Sequence, residues 1–457
     1  MLDALLNVND VINEIVWGPP FLVLLLGTGL YLTIRLNFFQ FTHLKDAWDH
    51  SFGRLFRKEE EKEGGILSSF QAVSSAMAAT LGVGNIAGVS TALALGGPGA
   101  MFWMWISALV GMATKFGEAA LGLKYRTESE DEEGNPVISG GVMYYIEKGL
   151  GQNWKWLAVI YAFLAGIAAF GIGNMVQSNT LADAAQDGFG VPTYVTGLVV
   201  VFFVALVILG GIKRIGIVAE RLVPLMAILY FVGGLVILIL NLGAIPGAFR
   251  DIFYYAFNPA SAVGGFAGAA VRQTIQFGVA RGIFSNEAGL GAASIVHAQA
   301  KNTPARQGMW GIWEVFIDTI IVATMTGLII LVTGSLETGA TGAVLATEGF
   351  SRGLPGPGGY IINISIIIFA YTTMLTWSFY GEKSWEYIFG RKIVFPYRLL
   401  FLGFLFVGAI GALEPIWLLA DTMNGLMAAP NLIALILLAR SLVKEKDSFL
   451  DSKQSAA

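Results

Sequence analysis

Ser74-Ser75-Ala76-Met77-Ala78-Ala79-Thr80-Leu81-Gly82-Val83-Gly84-Asn85-Ile86-Ala87-Gly88 lies inside an apolar segment long enough to cross a bilayer. Two glycines two residues apart, framed by Thr80 and Asn85, are poor material for a continuous helix, because each Gly costs about 1 kcal/mol relative to Ala. The stretch reads as a break. In hydrocarbon an unwound backbone is tolerated only where it is buried in protein or lines a polar cavity, since no lipid satisfies the freed N–H and C=O groups. A break at mid-membrane therefore implies something polar bound beside it.

A second break is expected about two hundred residues later, at Gln276-Phe277-Gly278-Val279-Ala280-Arg281-Gly282-Ile283-Phe284-Ser285-Asn286-Glu287-Ala288-Gly289. Two interrupted apolar segments in corresponding positions of two halves point to the central site of a secondary transporter built from inverted repeats. The alternative is that these glycines only permit close helix packing, as small residues do in membranes.

The surroundings fit a polytopic membrane protein. Of 457 residues, 55% are hydrophobic and 13% charged, against about 25% charged in soluble domains, and the mean hydropathy is +0.67. The net charge of −4 carries little information, because the distribution of Lys and Arg matters more than their sum. There is no Cys and only three His (His43, His50, His297), which excludes disulfides and thiolate metal sites and argues against a His-built metal centre. Met1-Leu2-Asp3-Ala4 gives no basic region before the first apolar run, so no cleavable signal peptide is expected.

A spanning helix takes about 20 mostly apolar residues, and that rule finds eleven candidate spans: I 17–36, II 67–96, III 99–123, IV 154–180, V 192–211, VI 221–245, VII 262–299, VIII 308–334, IX 360–385, X 396–412 and XI 415–439. Basic residues test the segmentation. Arg35, Lys45, Arg54, Arg57, Lys58 and Lys62 lie between I and II; Lys124, Arg126, Lys148 and Lys155 between III and IV; and Lys213, Arg214 and Arg221 between V and VI. Lys301 and Arg306, then Lys383, Arg391, Lys392 and Arg398, then Arg440, Lys444, Lys446 and Lys453 continue the alternation, placing 23 of the 28 on one face. The other face has Arg250 and Arg352, and Lys115, Arg272 and Arg281 fall within spans. The expected topology is N-terminus outside and C-terminus cytoplasmic.

If II and VII open equivalent units, the units are II–VI (67–245) and VII–XI (262–439), with I (17–36) a leading helix and 440–457 a cytoplasmic tail, all in one membrane domain. Five helices is an odd number, so consecutive units must be inverted. The expectation is an all-α polytopic fold: one leading helix and two inverted five-helix repeats, the first helix of each broken. The acidic run Glu128-Ser129-Glu130-Asp131-Glu132-Glu133 and the charged stretch Lys58 to Glu63 read as solvated loop. Gly334 to Gly359 reads as an outer loop, with covering the site a second role open to it.

Gly82-Val83-Gly84-Asn85 resembles the broken first core helix of the bacterial leucine transporter and its sodium-coupled relatives. More specific are Gly84-Asn85-Ile86-Ala87-Gly88-Val89, Gly96-Gly97-Pro98-Gly99-Ala100-Met101-Phe102-Trp103-Met104-Trp105, Lys115-Phe116-Gly117-Glu118, Tyr125-Arg126 and Ala280-Arg281-Gly282-Ile283-Phe284-Ser285-Asn286-Glu287-Ala288-Gly289-Leu290-Gly291. With the eleven-span layout these are similar to the alanine/glycine:cation symporter family over residues 10 to 445. The resemblance implies import across the cell membrane of small neutral amino acids, alanine and glycine, coupled to sodium on the leucine-transporter fold. Sodium would be the co-transported ion, with no cofactor and no nucleic-acid partner.

An amino acid presents a carboxylate and an ammonium that must both be desolvated at such a site. A half-helix N-terminus offers free N–H groups to the carboxylate, while unwound carbonyls suit an ammonium or a cation. The N–H groups around Gly82 and Gly84 are thus assigned to the carboxylate, and carbonyls near Thr80, Phe277 and Gly278, with Gln276 beside them, to the ammonium. Thr80 and Asn85 have the alternative role of capping the half-helices. The leucine-transporter pattern places sodium between the carbonyls of Ala78, Leu81 and Phe369 and the hydroxyls of Thr372 and Thr373. Those hydroxyls have the alternative of bonding their own helix at i−4. Proton-coupled relatives place a Lys in the cation's position; span VI has neither Lys nor Arg from Leu222 to Leu240, which favours sodium over protons.

Trp377, one turn from Thr373 and on its face, is expected to shrink the side-chain pocket to methyl or hydrogen size. Phe170, Asn174 and Gln177 of span IV are expected to complete the site. Intramembrane charges default to function: Glu118, Arg281, Glu287, Glu314 and Asp318 are candidates for gate pairs, a second cation ligand or buried structural pairing. An integral-membrane enzyme finds no support, since His-Glu-x-x-His is absent. A channel would be told apart by flux that neither saturates nor depends on a co-ion gradient.

Overall fold

The computed structural model describes residues 2–54, 64–130, 134, 136–258, 271–411 and 414–454. Arg57, Lys58 and Lys62 of the first basic loop, residues 131–133 of the acidic run, and the leading part of span VII (262–270) lie outside these. Span II divides into a helix Ser69–Thr80, a 3-10 turn Val83–Asn85 and a helix Ala87–Gly96, with a bend of 54°. A reciprocal capping box between Ser68 and Gln71 starts the first half. At its end the Gly82 N–H turns back onto the Thr80 carbonyl at 2.7 Å. A Cβ on Gly82 would stand 2.6 Å from Thr373 Oγ1, so glycine is what lets span II approach span IX so closely.

Span VII breaks later than expected. Helix Val271–Asn286 is continuous through Gln276, Phe277 and Gly278, and the chain unwinds at Glu287, Gly289 and Gly291, with φ of 56°, 102° and 81°. A short helix Ala293–His297 follows. Gly278 and Gly282 are packing glycines: a Cβ on Gly278 would meet the Ala100 carbonyl at 2.5 Å, and one on Gly282 would collide with Ser107 Oγ. Their propensity cost of about 1 kcal/mol each is offset by close contact with span III. The spacing of glycines in span VII thus marks the packing face, and the break falls where two further glycines take φ values unfavourable to other residues.

The chain is a polytopic membrane protein, all-α among the described residues apart from one hairpin. Among the described residues eight helices are long and apolar enough to cross a membrane, nine with the bent pair counted as one span. Span V, Thr193–Ile208, is a shorter apolar helix. Span III, Ala100–Lys124, is the most central, with 83% of its apolar window buried, whereas span X, Arg391–Ile410, has 28% buried and exposes Phe395, Leu399 and Leu400. Span III packs on VII and VIII, span IX on IV, VI and the first half of II, and span VII on the second half of II.

Three segments read as loop or tail are structured. Thr127–Glu130, from the acidic run, pairs antiparallel with Pro136–Ser139, its charges alternating off an exposed strand. Gly334 to Gly359 contains the helix Gly342–Gly353, which buries Leu345, Ala346 and Phe350. The tail forms the helix Ala439–Gln454, tied back to span III by Lys124–Glu445 at 2.8 Å.

Candidate functional site

A small cavity of about 20 Å³, roughly one water's room, lies where the broken spans meet. It is lined by Thr80, Gly82 and Gly84 of span II, Phe284 and Glu287 of VII, Ile172 and Gln177 of IV, Thr373 and Trp377 of IX, and Asn424 of XI. Gln177 and Phe284 also line a wide cavity of about 740 Å³, whose wall includes Thr91, Asp183, Arg281, Thr341 and Asp421. These two side chains therefore partition the small cavity from the wide one.

The break determines which backbone groups are free. Asn85 and Ile86 donate to the carbonyls of Gly82 and Val83, and Gly82 donates to Thr80. The N–H groups of Val83 and Gly84 take no partner among the described residues, so of the groups expected around Gly82 and Gly84 the free donors are those of Val83 and Gly84, and that of Gly82 is engaged. The Thr80 carbonyl is engaged twice, by the Gly82 N–H and by Asn85 Nδ2 at 3.2 Å. Asn85 thus satisfies the terminal carbonyl of the first half-helix and does not cap the second. Its amide also donates to Asp318, and its own carbonyl accepts from Thr326 Oγ1 at 2.8 Å.

Oxygens gather on the opposite side of the break. With the Gly82 N–H turned to Thr80, the Ala78 carbonyl at the helix end has lost its i+4 donor. Thr373 Oγ1 lies 2.9 Å from it, 2.9 Å from the Phe369 carbonyl and 3.5 Å from that of Ala79. Thr372 Oγ1 is 3.0 Å from the Phe369 carbonyl and 3.5 Å from Met226 Sδ of span VI. The hydroxyls thus bond their own helix and, at Thr373, the broken one. A hydroxyl has one proton, so Thr373 Oγ1 shares a single hydrogen between two carbonyl oxygens, each 2.9 Å away. Leu81, the remaining expected ligand, is fully buried at the end of the first half-helix.

Five residues expected at the site lie elsewhere. Gln276, Phe277 and Gly278 stand in continuous helix, their carbonyls within its backbone ladder. Phe170 packs on Tyr397, Phe401 and Phe404 of span X, and Asn174 Nδ2 donates to the Phe401 carbonyl at 2.7 Å. The cause is a π-turn over Gly171–Met175, in which residues five apart share a face. Ile172 and Gln177 therefore point together into the cavity, joined by Gln177 Nε2 to the Ile172 carbonyl at 3.0 Å. Gly171-Ile172-Gly173-Asn174 repeats the Gly-x-Gly-Asn pattern of Gly82 to Asn85, which is the signal that marks Ile172. Phe284 stands in the quoted second break without being singled out there, and Asn424 had no signal beyond its place in an apolar segment.

Trp377 is 1% exposed and lines the small cavity, its indole Nε1 donating to Glu287 Oε1 at 3.0 Å. A Cβ on Gly173 would collide with it. Buried charges hold the second break. Glu118 Oε1 accepts from the N–H groups of Gly289 and Gly291 at 2.8 and 3.1 Å and from Asn431 Nδ2 at 2.7 Å. Lys115 donates to the Asn286 carbonyl at 2.9 Å and pairs with Glu314 at 3.0 Å. Glu314 meets His297 at 3.1 Å, while Asp318 accepts from Asn85, Ser285 and Thr319. Arg281 stands 3.6 Å from Asp421 above Phe284.

Two spans interrupted around one buried polar cavity, with oxygens gathered where a break meets a third helix, define a secondary transporter. Comparison with known proteins narrows this. The chain matches the Sodium:alanine symporter family over residues 2–457, and it belongs to that family. It is 48% identical to the sodium/alanine symporter AgcS of Methanococcus maripaludis, over 100% of this chain and 99% of that one. It is 35% identical to the probable sodium/glutamine symporter GlnT of Bacillus subtilis, over 96% and 90%. The solved structure of MhsT in complex with L-phenylalanine superposes with a TM-score of 0.56 at 11% identity, over 84% of this chain and 99% of that one; that likeness shows a common fold. The protein is a sodium-coupled symporter of small neutral amino acids in the cell membrane, a transporter and not an enzyme.

Proposed function

We propose that the chain imports alanine and glycine with sodium by alternating access. The observation that carries this reading is the oxygen cluster of Ala78, Phe369, Thr372 and Thr373 beside a cavity that Trp377 closes to small side chains. Sodium takes the cluster, a hard cation among oxygen ligands, and draws the first half of span II onto span IX. The Val83 and Gly84 N–H groups then receive the substrate carboxylate. Met226, not a lysine, faces Thr372 from span VI, which supports sodium over a proton as the driving ion. The alanine named for the relative from Methanococcus maripaludis agrees with a pocket of methyl size.

The proposed architecture is one leading helix and two inverted five-span units, 67–245 and 262–439. Its support is that spans at equivalent places in the two units pack on each other: II on VII, III on VIII, IV on IX and V on X. With the N-terminus outside and the C-terminus cytoplasmic, the wide cavity opens outward and Arg281–Asp421 stands at its floor as the outer gate. The purified chain in liposomes, given labelled alanine with and without an inward sodium gradient, tests this. Accumulation only with the gradient is expected; uptake indifferent to sodium, or driven equally by a proton gradient alone, would sink it.

A further inference from the structure

An ammonium leaving water needs a partner, because an unpaired buried charge is costly. The carbonyls expected to serve it are committed elsewhere: those of Phe277 and Gly278 lie in helix, and that of Thr80 already accepts two bonds. Glu287 is the one carboxylate among the described residues lining the small cavity. It is 4% exposed, its Oε1 accepts from Trp377 Nε1, and its Oε2 has no partner. Asp318, the next carboxylate, does not line the cavity and has both oxygens engaged. We propose that Glu287 is the anionic anchor for the substrate's ammonium, facing the N–H groups of span II that take the carboxylate.

The backbone supports this placement. Glu287 has φ of 56°, a conformation uncommon for residues other than Gly, Asn and Asp and held only where the surroundings over-determine it. The surroundings here are the clamp on the second break. The Glu287 N–H donates to the Ile283 carbonyl at 2.8 Å, Leu290 donates to Glu287 at 3.1 Å, and Glu118 fixes the two glycines that follow. Lys115 holds the preceding carbonyl without lining the cavity, so it compensates the local negative charge and leaves Oε2 for the ligand. Trp377 acts twice under this assignment: it limits side-chain size and orients the carboxylate. Amino-acid recognition then rests on a charge at each end, span II reading the carboxylate and span VII the ammonium.

The proposal rests on amino-acid symport, and the test separates the two. Wild-type, Glu287→Gln and Glu287→Asp chains are reconstituted at full length. At saturating sodium the alanine concentration for half-maximal uptake is expected to rise about 10- to 100-fold in Glu287→Gln, the worth of a charge-assisted hydrogen bond. The sodium requirement should stay unchanged and Glu287→Asp should fall between. Lactate, which has a hydroxyl in place of the ammonium, is expected to be excluded by wild type but to approach alanine as a competitor in Glu287→Gln. A raised sodium requirement with alanine affinity intact would overturn the proposal and give the carboxylate to sodium. Unchanged behaviour in both would overturn it in favour of a bond to Trp377 alone. Should Glu287→Gln not fold, carbodiimide labelling of Glu287 in wild type decides: protection by alanine with sodium supports the anchor, and equal protection by sodium alone overturns it. Wild-type liposomes without sodium-driven alanine uptake would overturn the symport reading itself.

Discussion

At the scale of single residues, the proposed discrimination rests on three side chains of span IX. Trp377→Ala removes an indole from the cavity wall, opening room for several methylenes at about 0.8 kcal/mol of transfer energy each. Valine or leucine should then displace labelled alanine better than in wild type, and alanine should bind less tightly in the enlarged pocket. Trp377→Phe separates bulk from hydrogen bonding: it keeps most of the volume and loses only the Nε1 donor to Glu287. Alanine affinity should therefore fall only about fivefold, the net worth of one hydrogen bond, with valine still excluded. If neither valine nor leucine competes better in Trp377→Ala, the size filter lies elsewhere. The Thr372→Val, Thr373→Val double variant keeps shape and removes two oxygens from the cation cluster. It should raise the sodium concentration for half-maximal transport about tenfold or more at the strength of bonds to a charged group, and unchanged sodium activation would refute the cluster as the ion site.

At the scale of elements, span II was legible because its glycines stand where the helix ends, and a Gly-x-Gly-Asn run offers few other solutions in hydrocarbon. Span VII was legible as interrupted but not in register. Gly278 and Gly282 serve contact with span III, and only backbone conformation distinguishes them from Gly289 and Gly291. Span IV shows the limit of periodic reading: its π-turn replaces a spacing of four by five, so Phe170 and Asn174 face span X while Ile172 joins Gln177. Its sole advance sign is the repeated Gly-x-Gly-Asn. The polar clamp joins spans III, VII, VIII and XI across the sequence, so its charges were visible singly and its pairing was not. That clamp makes a stability prediction. Lys115→Met leaves Glu314 buried beside His297 alone, and breaking one side of a buried pair costs about 3–5 kcal/mol. The detergent-purified variant should unfold at a clearly lower temperature, and Lys115→Met, Glu314→Gln should recover part of the loss, since the pair is coupled. Equal melting of wild type and Lys115→Met would show that the pair adds nothing to the fold.

At the scale of the whole molecule, transport requires the small cavity to open to one side at a time, and in the proposed topology the parts that close it outward are few. Phe284 and Gln177 partition it from the wide cavity, and Arg281 reaches over Phe284 to Asp421, so the ion pair ties span VII to span XI above the partition. The two groups are 25% and 15% exposed, which places the pair among those worth about 1 kcal/mol or less. Such a latch biases an equilibrium without locking it, as a gate that opens every cycle must. Asp421→Asn should therefore shift the population toward the outward-open form by about two- to fivefold. The chain has no cysteine, so Ile172→Cys, on the wall of the small cavity, gives a single reporter for a membrane-impermeant thiol reagent added outside. Its labelling rate should rise by that factor when Asp421→Asn is added, and saturating alanine with sodium should slow labelling in both. Because the latch is electrostatic and partly exposed, high salt should narrow the difference between the two proteins. A labelling rate indifferent to Asp421→Asn would mean that Phe284 and Gln177 close the outer path without help from the ion pair.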